Sequence, residues 1–134
     1  MGIPSYFSFI VKNYAKIIMP LNNSFITNYF YLDSNSIIYD CLRNLSEDYD
    51  GDDKAFESKL VIAVEKKIRE YIKIIKPSCK VFVAFDGVAP VAKLEQQRTR
   101  RYKSYLIDRI KQDVDPDYKQ TWDKTAITPG TKFM

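Results

Sequence analysis

The sequence has no histidine and only two cysteines in 134 residues. Cys41 and Cys79 show no C-x-x-C spacing, so a zinc site of the usual His/Cys kind is excluded. Two lone thiols in hydrophobic surroundings are expected to be reduced core residues rather than a disulfide. No stretch approaches the roughly 18 apolar residues that a membrane span needs. The start has no signal-peptide layout, and Tyr6 stands where a myristoylation signal wants Ser or Thr. These absences lead us to expect a protein without membrane association, intracellular and cytoplasmic rather than nuclear. There is no internal repeat and no low-complexity linker.

What is present suits one folded domain over residues 1–134, with 46% hydrophobic and 28% charged residues. The formal charge is only +4, but it is concentrated. From Lys93 to Lys103 five basic residues face a single acid, Glu95, an excess equal to that of the whole chain. A positive field on one short element favours a phosphate-bearing partner.

Periodicity predicts a first helix over residues ~4–18, with Tyr6, Phe7, Phe9, Ile10, Ile17 and Ile18 as its apolar face, broken by Pro20, Asn22 and Asn23. Asn28–Asp33 reads as an aromatic strand ending in an acid. A helix capped by Ser34 or Ser36 follows, with Ile37, Ile38 and Cys41 inward. Glu47–Asp53 is a solvated acidic loop; Lys59 stands where a calcium loop opened by Asp48 would need its glutamate. A long helix over ~54–75 carries Phe56, Leu60, Ile62, Val64, Ile68, Tyr71, Ile72 and Ile75 and stops at Pro77. Val81–Phe85 is a near-continuous apolar strand of the kind buried on both faces of a parallel sheet. Gly87 and Pro90 turn the chain into a second long helix from about Val91 into the 110s, and the chain is irregular after Pro116. Thr131 could cap a further helix of which only Lys132, Phe133 and Met134 are present, which suggests that the sequence stops within a domain.

Strand, helix, strand in that order predicts a crossover between parallel strands, with Asp33 and Asp86 at their carboxyl ends. Neighbouring strands lie about 4.8 Å apart, so both carboxylates could share a divalent ion, for which Mg²⁺ is the natural choice. Either acid alone could merely cap the helix that follows it. Two acids in equivalent places, one leading into a basic helix, favour the metal.

Lys93, Gln97, Arg100 and Arg101 fall at i, i+4, i+7 and i+8, on one helix face. Arginine forks match phosphate oxygens, and glutamine donates without adding charge. A solvated face accounts for most basic runs, but such faces usually mix signs. Metal-held acids beside a phosphate rack point to phosphodiester hydrolysis.

The residues also carry a resemblance. Met1-Gly-Ile-Pro, Tyr31-Leu-Asp-Ser-Asn35 followed by Ile37-Ile38, Asp86-Gly-Val-Ala-Pro90, Ala92-Lys93 with Gln96-Gln-Arg98 and Arg100-Arg101, and Ile127-Thr-Pro-Gly-Thr131 followed by Phe133-Met134 stand in one collinear order. Together they closely resemble the amino-terminal part of the Xrn family of 5′→3′ exoribonucleases. The resemblance implies an α/β fold with a parallel central sheet flanked by helices, a PIN-like/FEN-like nuclease fold present here incompletely. It implies Mg²⁺ as cofactor, Asp33 and Asp86 as two metal-binding, catalytic acids, and RNA with a 5′-monophosphate as partner. Lys93, Gln97, Arg100 and Arg101 would form the pocket for that phosphate, and capped or triphosphorylated ends would be rejected.

Three departures accompany it. Tyr39 stands where the family usually has a histidine that stacks on the terminal base; a phenol ring can still stack. Ser36 replaces the usual glycine. The family's remaining acidic ligands lie beyond Met134, so the rest of the catalytic domain is needed for a complete site, and the piece alone is expected to be inactive. Short spacers and a Lys/Ile/Asn/Tyr-rich composition suggest a compact, divergent member from an AT-rich genome, such as a viral one.

Two other classes compete. A non-catalytic nucleic-acid-binding module would use the basic helix 91–112 without any metal centre. A small-molecule phosphatase built on Asp-x-Asp-Gly fails because Ala84 occupies the nucleophile's place.

Overall fold

The computed structural model describes residues 3–21, 26–115 and 121–134. The breaks assigned to Asn22, Asn23 and Pro116, and Met1-Gly2 of the amino-terminal motif, lie outside the described residues.

The first helix, α1, spans Tyr6–Asn13, shorter than its apolar pattern predicts. Asn13 donates its side-chain amide to the Phe9 carbonyl at 2.8 Å, competing with the next helical turn. Tyr14 then leaves helical geometry before a single 3-10 turn at Ala15–Ile17. The apolar face expected to be buried is not: Phe7 is 77% exposed, and Tyr6, Phe9, Ile17 and Ile18 are exposed with it. Periodicity identifies a face, but burial needs a partner, and none covers this face among the described residues.

Strands β1, Tyr29–Asp33, and β2, Lys80–Ala84, form a two-stranded parallel sheet with Asp33 opposite Ala84. Parallel pairing requires a crossover, here made by α2 (Asn35–Leu45) and α3 (Asp53–Ile75), which pack on each other. Burial alternates along β1, whereas in β2 only Val81 is half-buried and Phe82, Val83 and Ala84 are exposed. Phe30, Leu32 and Val81 are half-buried, and Leu32 joins the helical core. Tyr29, Tyr31 and Phe82 make an exposed aromatic row, with centroid spacings of 6.4 and 6.0 Å. The expectation that β2 is buried on both faces is therefore corrected, since Phe82 is 54% exposed. A sheet of two strands has helices over one side only.

Helix α2 buries Ile37, Ile38 and Cys41, as its spacing predicts, together with Leu42. Helix α3 opens on Asp52, whose carboxylate accepts from the N–H groups of Lys54 and Ala55 at 3.0 and 3.1 Å. Phe56, Leu60 and Val64, at i, i+4 and i+8, form its buried stripe. Ile62, one of the apolar residues that mark this helix, lies outward, because two residues along a helix is more than half a turn. The helix closes on Lys76, whose positive φ of 50° turns the chain ahead of Pro77. Cys79 is exposed, contrary to the expectation for both thiols, because it falls in the bend between that turn and β2.

The last long helix, α4, spans Val91–Val114 and buries no residue fully. After residue 120 the chain returns to the core. Trp122 and Ile127 are each only 4% exposed, and Trp122 packs between Phe56 at 5.7 Å and Phe133 at 5.2 Å. Thr131, expected to cap a helix, donates its hydroxyl to the Thr128 carbonyl at 2.9 Å and accepts the Met134 N–H at 3.4 Å, with no helix formed over residues 131–134. Among the described residues no helix is long and apolar enough to cross a membrane.

Candidate active site

The two strand tips are stitched together by side chain and backbone. The Ser34 N–H donates to the Ala84 carbonyl at 2.8 Å. One residue on, the Asn35 Oδ1 accepts the Asp86 N–H at 2.9 Å. Asn35 is only 7% exposed, so this bond is sheltered, while both carboxylates face solvent. Asp33 ends β1, and Asp86 lies two residues past β2. Both acids therefore sit at the carboxyl edge of neighbouring parallel strands, the place where α/β sheets bind ligands. Ser34 is fully buried, and its hydroxyl finds no hydrogen-bond partner among the described residues; Ser36, not Ser34, makes the local side-chain bond, to the Asp33 carbonyl at 3.2 Å.

Hard carboxylate oxygens at adjacent strand ends fit Mg²⁺ in kind, since that ion keeps several waters and takes one or two protein acids. Among the described residues no group of three or more His, Cys, Asp or Glu side chains comes together. Asp33 and Asp86 thus offer part of a ligand set.

Sequence alone assigns Asn35 no role beyond its place in a motif. Its bond makes it the brace of Asp86. Asn35→Ala leaves a sheltered N–H without a partner and is expected to cost about 1–3 kcal/mol. Urea denaturation measures this. An unchanged midpoint in the alanine variant would show that the bond carries no stability.

Beside Asp86 a cavity of about 310 Å³ opens between α4 and the returning segment. Tyr39, Asp86, Gln97, Arg100 and Arg101, five of the residues singled out from sequence, all line it. Gln97 and Arg101 are half-buried there, and Arg100 is more exposed. Their common face follows from the uninterrupted helical run after Pro90, whose carbonyl accepts from Lys93 and Leu94 at 2.8 and 3.2 Å. Lys93 stands one turn nearer the helix start and, like Asp33, does not line the cavity. The volume is at the low end of pockets that hold small ligands.

The opposite wall was not foreseen. It consists of Lys124, Thr125, Ile127, Thr128 and Pro129. Trp122 and Ile127 pin this stretch to the core on either side of a 3-10 turn at Lys124–Ala126. Asp123 caps that turn, its Oδ1 accepting the Thr125 N–H at 2.8 Å and its Oδ2 the Thr125 hydroxyl at 2.5 Å. The available signals were the lone tryptophan and the Asp-x-Thr cap that follows it.

The model of the XRN 5'-3' exonuclease N-terminus family matches residues 1–134. The chain belongs to that family. Its fold is accordingly the PIN-like nuclease fold, with a parallel sheet flanked by helices. It is 29% identical to 5'-3' exoribonuclease 2 of Schizosaccharomyces pombe over 173 positions, covering 100% of this chain and 17% of that protein. Against 5'-3' exoribonuclease 1 of Saccharomyces cerevisiae the identity is 32% over 142 positions, with 100% and 9% covered. Against the human 5'-3' exoribonuclease 1 it is 33% over 145 positions, with 100% and 8% covered. The XRN chain therefore spans less than a fifth of the length of these curated relatives. The alignments exceed the chain's own length, so the relatives carry insertions between the matched blocks.

Proposed function

We propose that this XRN chain forms the substrate-receiving part of a 5′→3′ exoribonuclease that takes RNA with a 5′-monophosphate and hydrolyses it with Mg²⁺. The observation that supports this best is one cavity in which Asp86 shares the lining with Gln97, Arg100 and Arg101. Acid and cationic donors are placed at neighbouring positions, as successive phosphates of one strand require.

In this reading Arg100 and Arg101 offer forked donors to the terminal phosphate, and Gln97 adds an uncharged donor. Tyr39 presents its ring to the terminal base. Lys93, just outside the cavity, adds positive field on the approach. Asp33 and Asp86 would hold Mg²⁺, which when bound neutralises developing charge and makes water a better nucleophile. The chain's own contribution is to fix register: the phosphate seat sets where the strand stops, and the strand tips set which diester lies beside the acids. The activity is proposed to operate inside the cell, in the cytoplasm, and to draw its other acidic ligands from the rest of the catalytic domain.

The test compares 5′-phosphate with 5′-hydroxyl RNA of the same sequence on the catalytically complete polypeptide. The phosphorylated strand should be degraded at least about tenfold faster, the scale of one charge-assisted contact. Equal rates would sink the phosphate seat. A second reading, a non-catalytic RNA-binding module, is favoured by the absence of a third acid near the strand tips among the described residues. It requires binding that survives EDTA, falls steeply with salt, and is accompanied by no turnover.

A further inference from the structure

We propose that Lys124 is a further phosphate-binding residue, closing the seat from the wall opposite α4 and selecting terminal over internal phosphates. The proposal rests on the reading of the cavity as the seat of the RNA 5′ end. Lys124 lines the same cavity as Gln97, Arg100 and Arg101, but from the returning segment rather than from the helix. It also lines both adjoining cavities, one of about 360 Å³ beside Arg109 and one of about 270 Å³ beside Arg43. It thus stands where the three spaces meet.

Among the described residues no hydrogen bond or ion pair engages its ammonium group. It forms none of the ion pairs found among the described residues, which join Arg43 to Asp40, Lys67 to Glu70 and Arg69 to Glu65. The nearest acid in sequence, Asp123, has both carboxylate oxygens occupied by Thr125. Packing does not require the lysine either. The segment is held by Trp122 and Ile127, while Lys124 between them is exposed. A cation carried on an anchored turn, at the lining of a cavity that two arginines also line, adds like charge to that cavity, which an anion between them would relieve.

The chemistry identifies that anion. A 5′-monophosphate carries between one and a half and two negative charges near neutral pH, roughly, whereas an internal diester carries one. Donors on α4 alone reach a phosphate from one side and suit either kind. A cation on the facing wall adds the contact that the extra terminal charge rewards. Lys124 is therefore a specificity-determining residue, and its effect belongs to the difference between two ends rather than to RNA affinity as a whole.

Binding of fluorescent RNA to the catalytically complete polypeptide, with turnover blocked by EDTA, tests this with paired 5′-phosphate and 5′-hydroxyl strands. Lys124→Gln should lower the preference for the phosphorylated end about tenfold while changing 5′-hydroxyl affinity less than about twofold. Lys124→Arg should keep most of the preference. In the unsubstituted chain the preference should shrink as pH falls through about 6, where the terminal phosphate gains a proton, and Lys124→Gln should flatten that profile. If Lys124→Gln keeps the full preference while Arg101→Ala loses it, the inference fails and the proposed function stands. An equal loss on both strands would also overturn it, by reducing Lys124 to a general backbone contact. If the unsubstituted chain does not distinguish the two ends, both the function and the inference fall.

Discussion

Replacing Asp86 by Asn in the catalytically complete polypeptide is expected to lower turnover by at least about 10³-fold, the equivalent of several kcal/mol of charge stabilisation at a metal-assisted step. The substitution keeps side-chain volume and removes one negative charge. It also leaves the backbone N–H that Asn35 accepts, so the stitch between the strand tips persists. RNA carrying a 5′-phosphate should bind in EDTA at least as tightly as before, because an acid that lines the same cavity as Arg100 and Arg101 has gone. Turnover should fall while binding holds or rises, a combination that a folding defect cannot produce. Turnover at the original rate would refute the metal role of Asp86.

The second large effect lies in the core. Phe56 is only 2% exposed and stacks edge-on to Tyr49 at 5.3 Å and tilted to Trp122 at 5.7 Å. Phe56→Ala is expected to cost about 3–5 kcal/mol, the usual range for truncating a buried aromatic ring. Chemical denaturation of the 134-residue chain measures it. The loss should spread beyond α3, since Trp122 is an anchor of the wall that carries Lys124. Preference for 5′-phosphate RNA should therefore decline at denaturant concentrations where α2 and α3 keep their helical signal. A destabilisation under about 1 kcal/mol would mean that the returning segment does not depend on this contact.

Where chemistry follows from local order, the residues could be read directly. Asp33 and Asp86 end short β-rich runs, a parallel crossover follows from their order, and the structure puts both at one edge of the sheet. Gln97, Arg100 and Arg101 share a face because helical spacing leaves no choice, and they meet in one cavity. Burial was harder to read. An apolar residue goes inside only if something covers it, and Phe7, Phe82 and Ile62 look equally suited to the interior in sequence. The far wall was invisible for a related reason. Lys124 reaches the site because Trp122 and Ile127 dock on α2 and α3, a long-range event that no local period records. Asn35 is the intermediate case. Its position just past β1 was plain, but its bond to Asp86 spans 51 residues of sequence.

The sheet is a ribbon of five residues on each of two strands. Such a ribbon is marginal by itself and owes its order to the helices beneath it. Its carboxyl tips, held by the Ser34 and Asn35 bonds, can fray at a fraction of the free energy that global denaturation demands. Amide protons at that edge should exchange ahead of those in α3, making the corner that carries Asp33 and Asp86 a loose seam among the described residues.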